Sequence, residues 1–291
     1  MRQGTQGVRQ TTIGRRVEVC GLGFHLAQHA RVAICPAPAD TGLVFERVDF
    51  FNFRIPALAE HVGHVAYSTA LLKDGVMVCT IEHLLSALYG CHIDNAIIEI
   101  NAAEVPILDG SARPFVQLIQ EAGVVELDAP RKYLCVLKPV EVESGERRIR
   151  LSPAPALSVD CTIEFDHPLI GRQQTCFTFD NGAYPKHIAA ARTFIFEDEF
   201  SWRRQIGLVR GGSPETAVVL TGKNLLNHEG LRFEDEFVRH KTLDILGDIA
   251  LLGRPLLGQI EAVRSGHGLH NQLVNKLLAQ PDAWEVAPAP P

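Results

Sequence analysis

GLRFEDEFVRHKTLDILGD, residues 230–248, carries His240, Asp244 and Asp248 at intervals of four. On a helix this spacing puts the three side chains on one face, successive ones about 6 Å apart along the axis. An imidazole and a carboxylate at i and i+4 can close on one metal ion. The ordinary reading of such a pair is a solvated helix face, because polar residues mostly sit outside. Here the same face continues through Leu243, Gly247 and Leu251. It is therefore partly apolar, and a polar trio on it needs partners or a role.

Working outward, a second stretch repeats the pattern. In CTIEHLLSALYG, residues 79–90, Thr80 predicts an N-cap, Leu84, Leu85 and Leu88 an apolar stripe, and Gly90 a C-terminal stop. Glu82 and His83 then lie in the first turn. HLLSALYG at His83 and HKTLDILG at His240 each place a histidine seven residues before a glycine, and each predicted helix leads to a strand. This weak repeat predicts two copies of one sheet-plus-two-helices unit facing each other, an α+β chain of two similar domains.

The remaining segments fit such units. TTIGRRVEVCGLGFH and HARVAICPAPADTGLVFERVDF are short β-like runs broken by Gly and Pro, so antiparallel sheet is expected, with His25 in a sharply turning loop. Residues 57–80 are irregular and contain His61 and His64, an HxxH pair that without a third ligand reads as loop residues. EVPILDGSARPFVQLIQEAG is a turn entering a helix. The second unit starts near Arg131 with RKYLCVLKPVEVE and LSVDCTIEF as strands, then a helix over Pro185 to Arg192. Residues near 197–222 read as an inserted strand, helix and strand. LGQIEAV, the loop RSGHG and the helix HNQLVNKLLAQ close the unit. The expected division is 1–128, with a small insert near 57–80, then 129–278, then a Pro- and Ala-rich tail over 279–291 that reads as disordered.

Composition bounds the function. The 291 residues suffice for two ordinary domains, and 46% hydrophobic with 21% charged is a soluble globular mixture. No apolar run reaches the roughly 18 to 20 residues of a membrane span, and MRQGTQGVRQ lacks a signal-peptide core, so a cytoplasmic location is expected. The seven cysteines are odd in number, scattered and never in a CxxC pair, which predicts reduced, mostly buried thiols. A formal charge of −6 weighs against nucleic-acid binding but leaves room for an anionic small molecule where Lys and Arg gather.

If the two histidine helices meet, His83, His240 and Asp244 supply three ligands to one ion. Two neutral imidazoles and a carboxylate suit Zn²⁺ with water in the fourth position. Glu82 is rotated by about 100° from His83 and is the candidate general base. His267, between glycines, is a candidate acid if a carboxylate such as Asp248 keeps it protonated. Thr193 offers a hydroxyl for an oxyanion. Each has an ordinary alternative: a helix-terminal charge for Glu82, a turn residue for His267, a cap or packing residue for Thr193.

TIEHLLSAL, IDNAIIEIN, VPILDGSARPFV, ARTF, GLRFEDEFVRHKTLDILGD and SGHGLHN together resemble the zinc-dependent UDP-3-O-acyl-N-acetylglucosamine deacetylases of lipid A biosynthesis, from about Thr11 to Leu278. The resemblance implies a β-α-α-β sandwich with the helices in the central layer. It implies one Zn²⁺ on His83, His240 and Asp244, with Glu82 as base, His267 as acid oriented by Asp248, and Thr193 on the oxyanion. Phe194 and Lys241 would contact the substrate, Phe165 the uracil ring, and Arg264, where the family often has lysine, the diphosphate. Residues 197–222 correspond to the family's passage for the fatty acyl chain, with Phe196, Ile206, Leu208 and Val218 as lining or as ordinary core. The chain departs from the family at Leu26 and Ala27, where Ser-Gly is usual, and at Ile195, usually a small residue, which is expected to narrow the passage mouth.

The implied activity is removal of acetate from an acylated UDP-N-acetylglucosamine by a monomeric enzyme with no nucleic-acid partner. Two alternatives remain: a zinc amidase for another amidated sugar nucleotide, separable by testing substrates with and without the 3-O-acyl chain, and a non-catalytic sugar-nucleotide binder. Glu82, His83, Thr193, His240, Asp244 and His267 together weigh against the latter, since a binder needs no base and acid around a metal.

Overall fold

The computed structural model describes residues 8–180 and 182–288. Its helices are α1 (Glu82–Gly90), α2 (Arg113–Ala122), α3 (Ala183–His187), α4 (Glu197–Gln205), α5 (Glu236–Ile249) and α6 (His267–Leu278). The five-stranded sheet of the first half runs in the order Val17–Leu22, His29–Pro36, Ala96–Ile100, Leu43–Arg47, Phe53–Pro56. That of the second half runs Val140–Ser144, Arg147–Ser152, Gln259–Val263, Ser158–Phe165, Gly171–Thr178. The two orders are the same. In each, the strand latest in sequence lies in the middle, antiparallel to one neighbour and parallel to the other. A parallel pair needs a crossover. The chain supplies α1 before one central strand and α5 before the other, with α2 and α6 following.

α1, α2, α5 and α6 lie between the two five-stranded sheets. α6 packs on Val140–Ser144 and Arg147–Ser152, α5 on Ser158–Phe165 and Gly171–Thr178, and α2 on α1 and Val17–Leu22. One apolar core runs from Val32, Phe45 and Ile98 through Leu84, Leu85, Leu243 and Leu246 to Ile149, Val159 and Ile260. Each of the four helix leucines is fully buried, which stabilises the docking by about 1.5–3 kcal/mol apiece. α5 buries residues on every face, His240, Asp244 and Asp248 included, so it is a central helix and not a solvated one. α1 and α5 touch backbone to backbone at Gly247, where a β-carbon would stand 2.1 Å from the Glu82 carbonyl oxygen.

Each half carries an insert. The first is the three-stranded antiparallel sheet of Val62–His64, Ala70–Lys73 and Val76–Cys79. The second joins Phe194–Phe196, α4, Val218–Thr221 and Asn224–Leu225, the first two of its three strands parallel.

Several local expectations differ from the structure. Trp284–Pro288, expected to be disordered, is a strand paired with Lys132–Val136; its alternating side chains and free backbone groups complete a sheet edge. Residues 289–291 lie outside the described residues. Thr80 does not cap α1: it has φ 57, and its hydroxyl donates to Glu104 at 2.9 Å. The helix expected over 185–192 is only α3, which ends at His187; beyond it the N–H groups of Ile188 and Ala189 both donate to the Tyr184 carbonyl and that of Ala191 to Ile188, turns that close the helix. Of the seven cysteines only Cys79 and Cys161 are buried, while Cys20 and Cys176 on outer strands are exposed.

Candidate active site

His83 from α1 and His240 from α5 meet with their rings edge-on, 5.0 Å between centroids. His240 Nε2 lies 3.3 Å and His83 Nε2 3.8 Å from the same oxygen, Asp244 Oδ1. All three residues are buried and their donor atoms fall within 4.8 Å of one another. His240 Nδ1 faces the Ala191 carbonyl at 3.1 Å, which places a proton on Nδ1 and leaves the Nε2 lone pair toward the cluster. Asp244 Oδ2 accepts from Lys241 Nζ at 2.8 Å, but Oδ1 is buried with no hydrogen bond, as is His83 Nδ1. A buried, unsatisfied carboxylate oxygen between two imidazole nitrogens fits a divalent cation. Burial pushes His83 down to about 3, the neighbouring His240 adding to the effect, and burial lowers His240 too, so both stay neutral as ligands must. Burial opposes ionisation of Asp244, but His240 and Lys241 outweigh it and hold the carboxyl well below the usual range.

A second cluster adjoins the first. Asp248, the next turn of α5, accepts from His267 Nδ1 at 2.8 Å and His270 Nδ1 at 2.7 Å on Oδ2, and from the Thr69 hydroxyl at 2.6 Å on Oδ1. These hydrogen bonds engage both carboxylate oxygens, so this trio is a proton network. Ser265 Oγ lies 2.9 Å from His270 Nε2. His267 Nε2 points toward Glu82 Oε1, 4.0 Å away, while Glu82 Oε2 accepts the Thr69 backbone N–H at 3.1 Å. Burial pushes Glu82 up to about 7, His267 opposing and Asp248 and Asp244 reinforcing the rise. Burial alone would lower His267, but the charge and hydrogen bond of Asp248, with Glu82, carry it up to about 9. Asp248 is drawn down to about 2, its burial outweighed by His267 and His270. A poised carboxylate and a protonated imidazole thus sit side by side, the pairing that acid–base chemistry at neutral pH requires.

The chain from 191 to 194 runs along this site. Arg192, fully buried, is clamped by Glu236 at 2.8 Å and by the Gly230 carbonyl at 2.7 Å. Thr193 donates its N–H to Gly110 at 2.8 Å and stands between Ala191, whose carbonyl holds His240, and Phe194, whose ring is 6.5 Å from the His240 ring. Lys241 Nζ lies 5.5 Å from the Phe194 ring centre, and Phe165 stacks edge-on against Phe194 at 5.4 Å. Phe196 adjoins Phe165 at 6.0 Å. Arg264 is farther out, its guanidinium engaged by Glu164 at 2.8 Å and by Glu146. In the second insert Ile206 is exposed, Leu208 half-buried and Val218 sealed in the core. Ile195 is buried too, packed with Phe24, Val209 and Val219 in a small core that ties the insert to the loop at His25.

Thr69 and His270 were not singled out by the sequence. His270 had a signal, its i+3 spacing from His267 on α6; Thr69 lies in an irregular run and had none.

Two imidazoles and a carboxylate that could hold a cation, beside a raised carboxyl and a protonated imidazole, are the groups a metal-dependent hydrolase needs. The chain matches the family model described as "LpxC: UDP-3-O-acyl N-acetylglycosamine deacetylase" over residues 10–279. It is 46% identical over 282 residues to the UDP-3-O-acyl-N-acetylglucosamine deacetylase of Saccharophagus degradans, covering 96% of this chain and 93% of that one. The proteins of the same name from Hahella chejuensis and Pseudomonas entomophila are each 45% identical over the same shares. The chain belongs to this deacetylase family, whose members hydrolyse an amide. Among the described residues, no helix is long and apolar enough to cross a membrane.

Proposed function

We propose that this chain hydrolyses the 2-acetamido group of a UDP-3-O-(3-hydroxyacyl)-N-acetylglucosamine, releasing acetate and the free amine, in lipid A biosynthesis. The carrying observation is the 4.0 Å approach of Glu82 Oε1 to His267 Nε2 beside the unsatisfied Asp244 Oδ1. His83, His240 and Asp244 would hold one ion, Zn²⁺ by their donor set. When bound, such an ion polarises the acetyl carbonyl and acidifies a water to a pKa of about 7.

The chain's own residues do the rest. Glu82 takes the proton of the attacking water. Thr193 donates its hydroxyl to the developing oxyanion, and His267, kept protonated by Asp248, first stabilises that charge and then gives its Nε2 proton to the departing amine. Lys241 and Phe194 line the sugar side, Phe165 offers a ring to the base, and Arg264 a charge to the diphosphate once released from Glu146 and Glu164. Ile206 and Leu208 border the acyl chain; Val218 supports them from the core. The protein acts in the cytoplasm as a monomer, its two units dividing near residue 128.

The test is acetate release with the 3-O-acylated and the deacylated sugar nucleotide. Strong preference for the acylated substrate is expected. Equal rates would indicate another amidated sugar nucleotide, and no release from either would leave only binding.

A further inference from the structure

We propose that Thr69, on the first insert, is a positioning residue for the deacetylation, fixing the acid His267 and the base Glu82 relative to each other. The proposal rests on the roles just assigned to those two residues. Thr69 is 1% exposed and every polar group it owns is engaged around the site. Its backbone N–H donates to Glu82 Oε2 at 3.1 Å, its carbonyl accepts from Ile81 at 3.3 Å, and its hydroxyl donates to Asp248 Oδ1 at 2.6 Å. It therefore joins α1, α5 and the insert at one point.

The geometry gives each bond a consequence. Asp248 Oδ2 is shared by His267 and His270, so the carboxylate serves His267 only while its plane is fixed. The hydroxyl on Oδ1 fixes it. With its single proton directed to Asp248, the Thr69 oxygen turns a lone pair toward His267 Nδ1 at 3.3 Å. Nδ1–H of His267 is then bracketed by two acceptors. That holds the Nδ1 proton in place, so the proton the imidazolium can give up is the one on Nε2, facing Glu82, and the ring left behind is the Nδ1–H tautomer. The amide bond to Glu82 Oε2 in turn leaves Oε1 as the oxygen that faces His267.

The insert is also latched. Two residues before Thr69, the Tyr67 ring meets Trp202 of α4 edge to face with centroids 6.3 Å apart, and the Arg203 guanidinium lies 4.7 Å over the Tyr67 ring. The seating of the two inserts on each other thus sets the position of Thr69.

Three variants test this: Thr69→Val, which keeps shape and backbone but loses the hydroxyl, Thr69→Ser, which restores it, and His267→Ala. Metal content and Tm are measured alongside kcat and KM. For Thr69→Val the expected result is a fall in kcat on the order of 10-fold or more, the loss of one hydrogen bond to a charged group. KM, metal content and fold are unchanged, and Thr69→Ser recovers most of the rate. If Thr69→Val keeps wild-type kcat while His267→Ala is inactive, the proposal is overturned and the acid assignment stands. If His267→Ala keeps its rate, the acid assignment itself fails. Failure of Thr69→Ser to recover the rate also overturns the proposal, since the hydroxyl is then not the working group.

Discussion

Asp244 Oδ1 stands 3.8 Å from His83 Nε2, a contact that joins the helix of one half to the helix of the other. Neither half owns the whole proposed ligand set, so on that proposal metal binding and docking of the halves are one equilibrium. An ion that binds only the folded chain raises its stability by linkage. Chelation is expected to abolish deacetylation and lower Tm, and Zn²⁺ to restore both. Asp244→Ala should lose bound metal, as measured by elemental analysis. Full activity in verified metal-free protein would contradict the assignment.

Glu82 precedes the proposed ligand His83 and lies outside the proposed donor set. Its side chain touches the Thr69 amide and faces His267, so removing it leaves the three donors in place. Glu82→Ala is expected to keep its metal and lose rate by a factor of about 10² or more, the usual contribution of a general base. Loss of the metal would move Glu82 into the ligand set.

The pH profile follows from His267. Its folded value of about 9 lies above the ordinary imidazole value of about 6.5, so it is protonated throughout the neutral range and loses its proton as pH rises through about 9. A raised value means that the stability contributed by the His267–Asp248 pair is full below 6.5 and lost on crossing 9. If His267 is the acid proposed above, it must be protonated, and kcat/KM is expected to fall on the alkaline side near that value. His267→Gln should lose this limb; a limb unchanged in that variant would belong to another group.

Much of this site is legible in the sequence because helices convert spacing into geometry. His240, Asp244 and Asp248 share a face for any α-helix, and the His83 stretch echoes the His240 stretch because the two units share one strand order. What stayed hidden arrives by tertiary contact. Thr69 reaches Asp248 across 179 residues, and the Arg192–Glu236 clamp that steadies Thr193 spans 44. Strings such as DGSAR and GLRFEDE proved to be structural: Asp109 binds Ser111 at 2.8 Å and Arg232 at 2.9 Å, bridging the halves behind the chemistry. Ile195, expected at the mouth of a passage, is 2% exposed, because alternation along a short parallel strand turns it inward.

Ala27 occupies a position that an unbranched backbone would fill more easily. Its φ of 54 is left-handed, in a loop pinned by His25 and Leu26 N–H groups on buried Glu104, both at 2.7 Å. A β-carbon there costs about 1 kcal/mol. Ala27→Gly is expected to raise unfolding stability by up to about 1 kcal/mol in urea titration, with deacetylation unchanged. A loss of stability would show that the Ala27 methyl packs more favourably than its backbone strain costs.

Gly247 tests the coupling of fold to site most directly. It lies on α5 between Asp244 and Asp248, and the Glu82 backbone occupies the space where a side chain would go, with carbonyl oxygen, carbonyl carbon and Cα at 2.1, 2.8 and 2.9 Å. These atoms belong to the first turn of α1 and cannot rotate away as a flexible side chain would. Gly247→Ala must therefore push α1 from α5, although alanine is the better helix former. Overpacking of this kind costs about 1–3 kcal/mol or more. The same displacement draws His83 from His240 and Asp244, and Glu82 from His267, so stability, metal affinity and rate should fall together. Denaturation, competition with a chelating dye and kcat measure the three. Unchanged metal affinity in a destabilised Gly247→Ala protein would mean that the site tolerates separation of the helices, contrary to the dependence argued from the 3.3 and 3.8 Å contacts on Asp244.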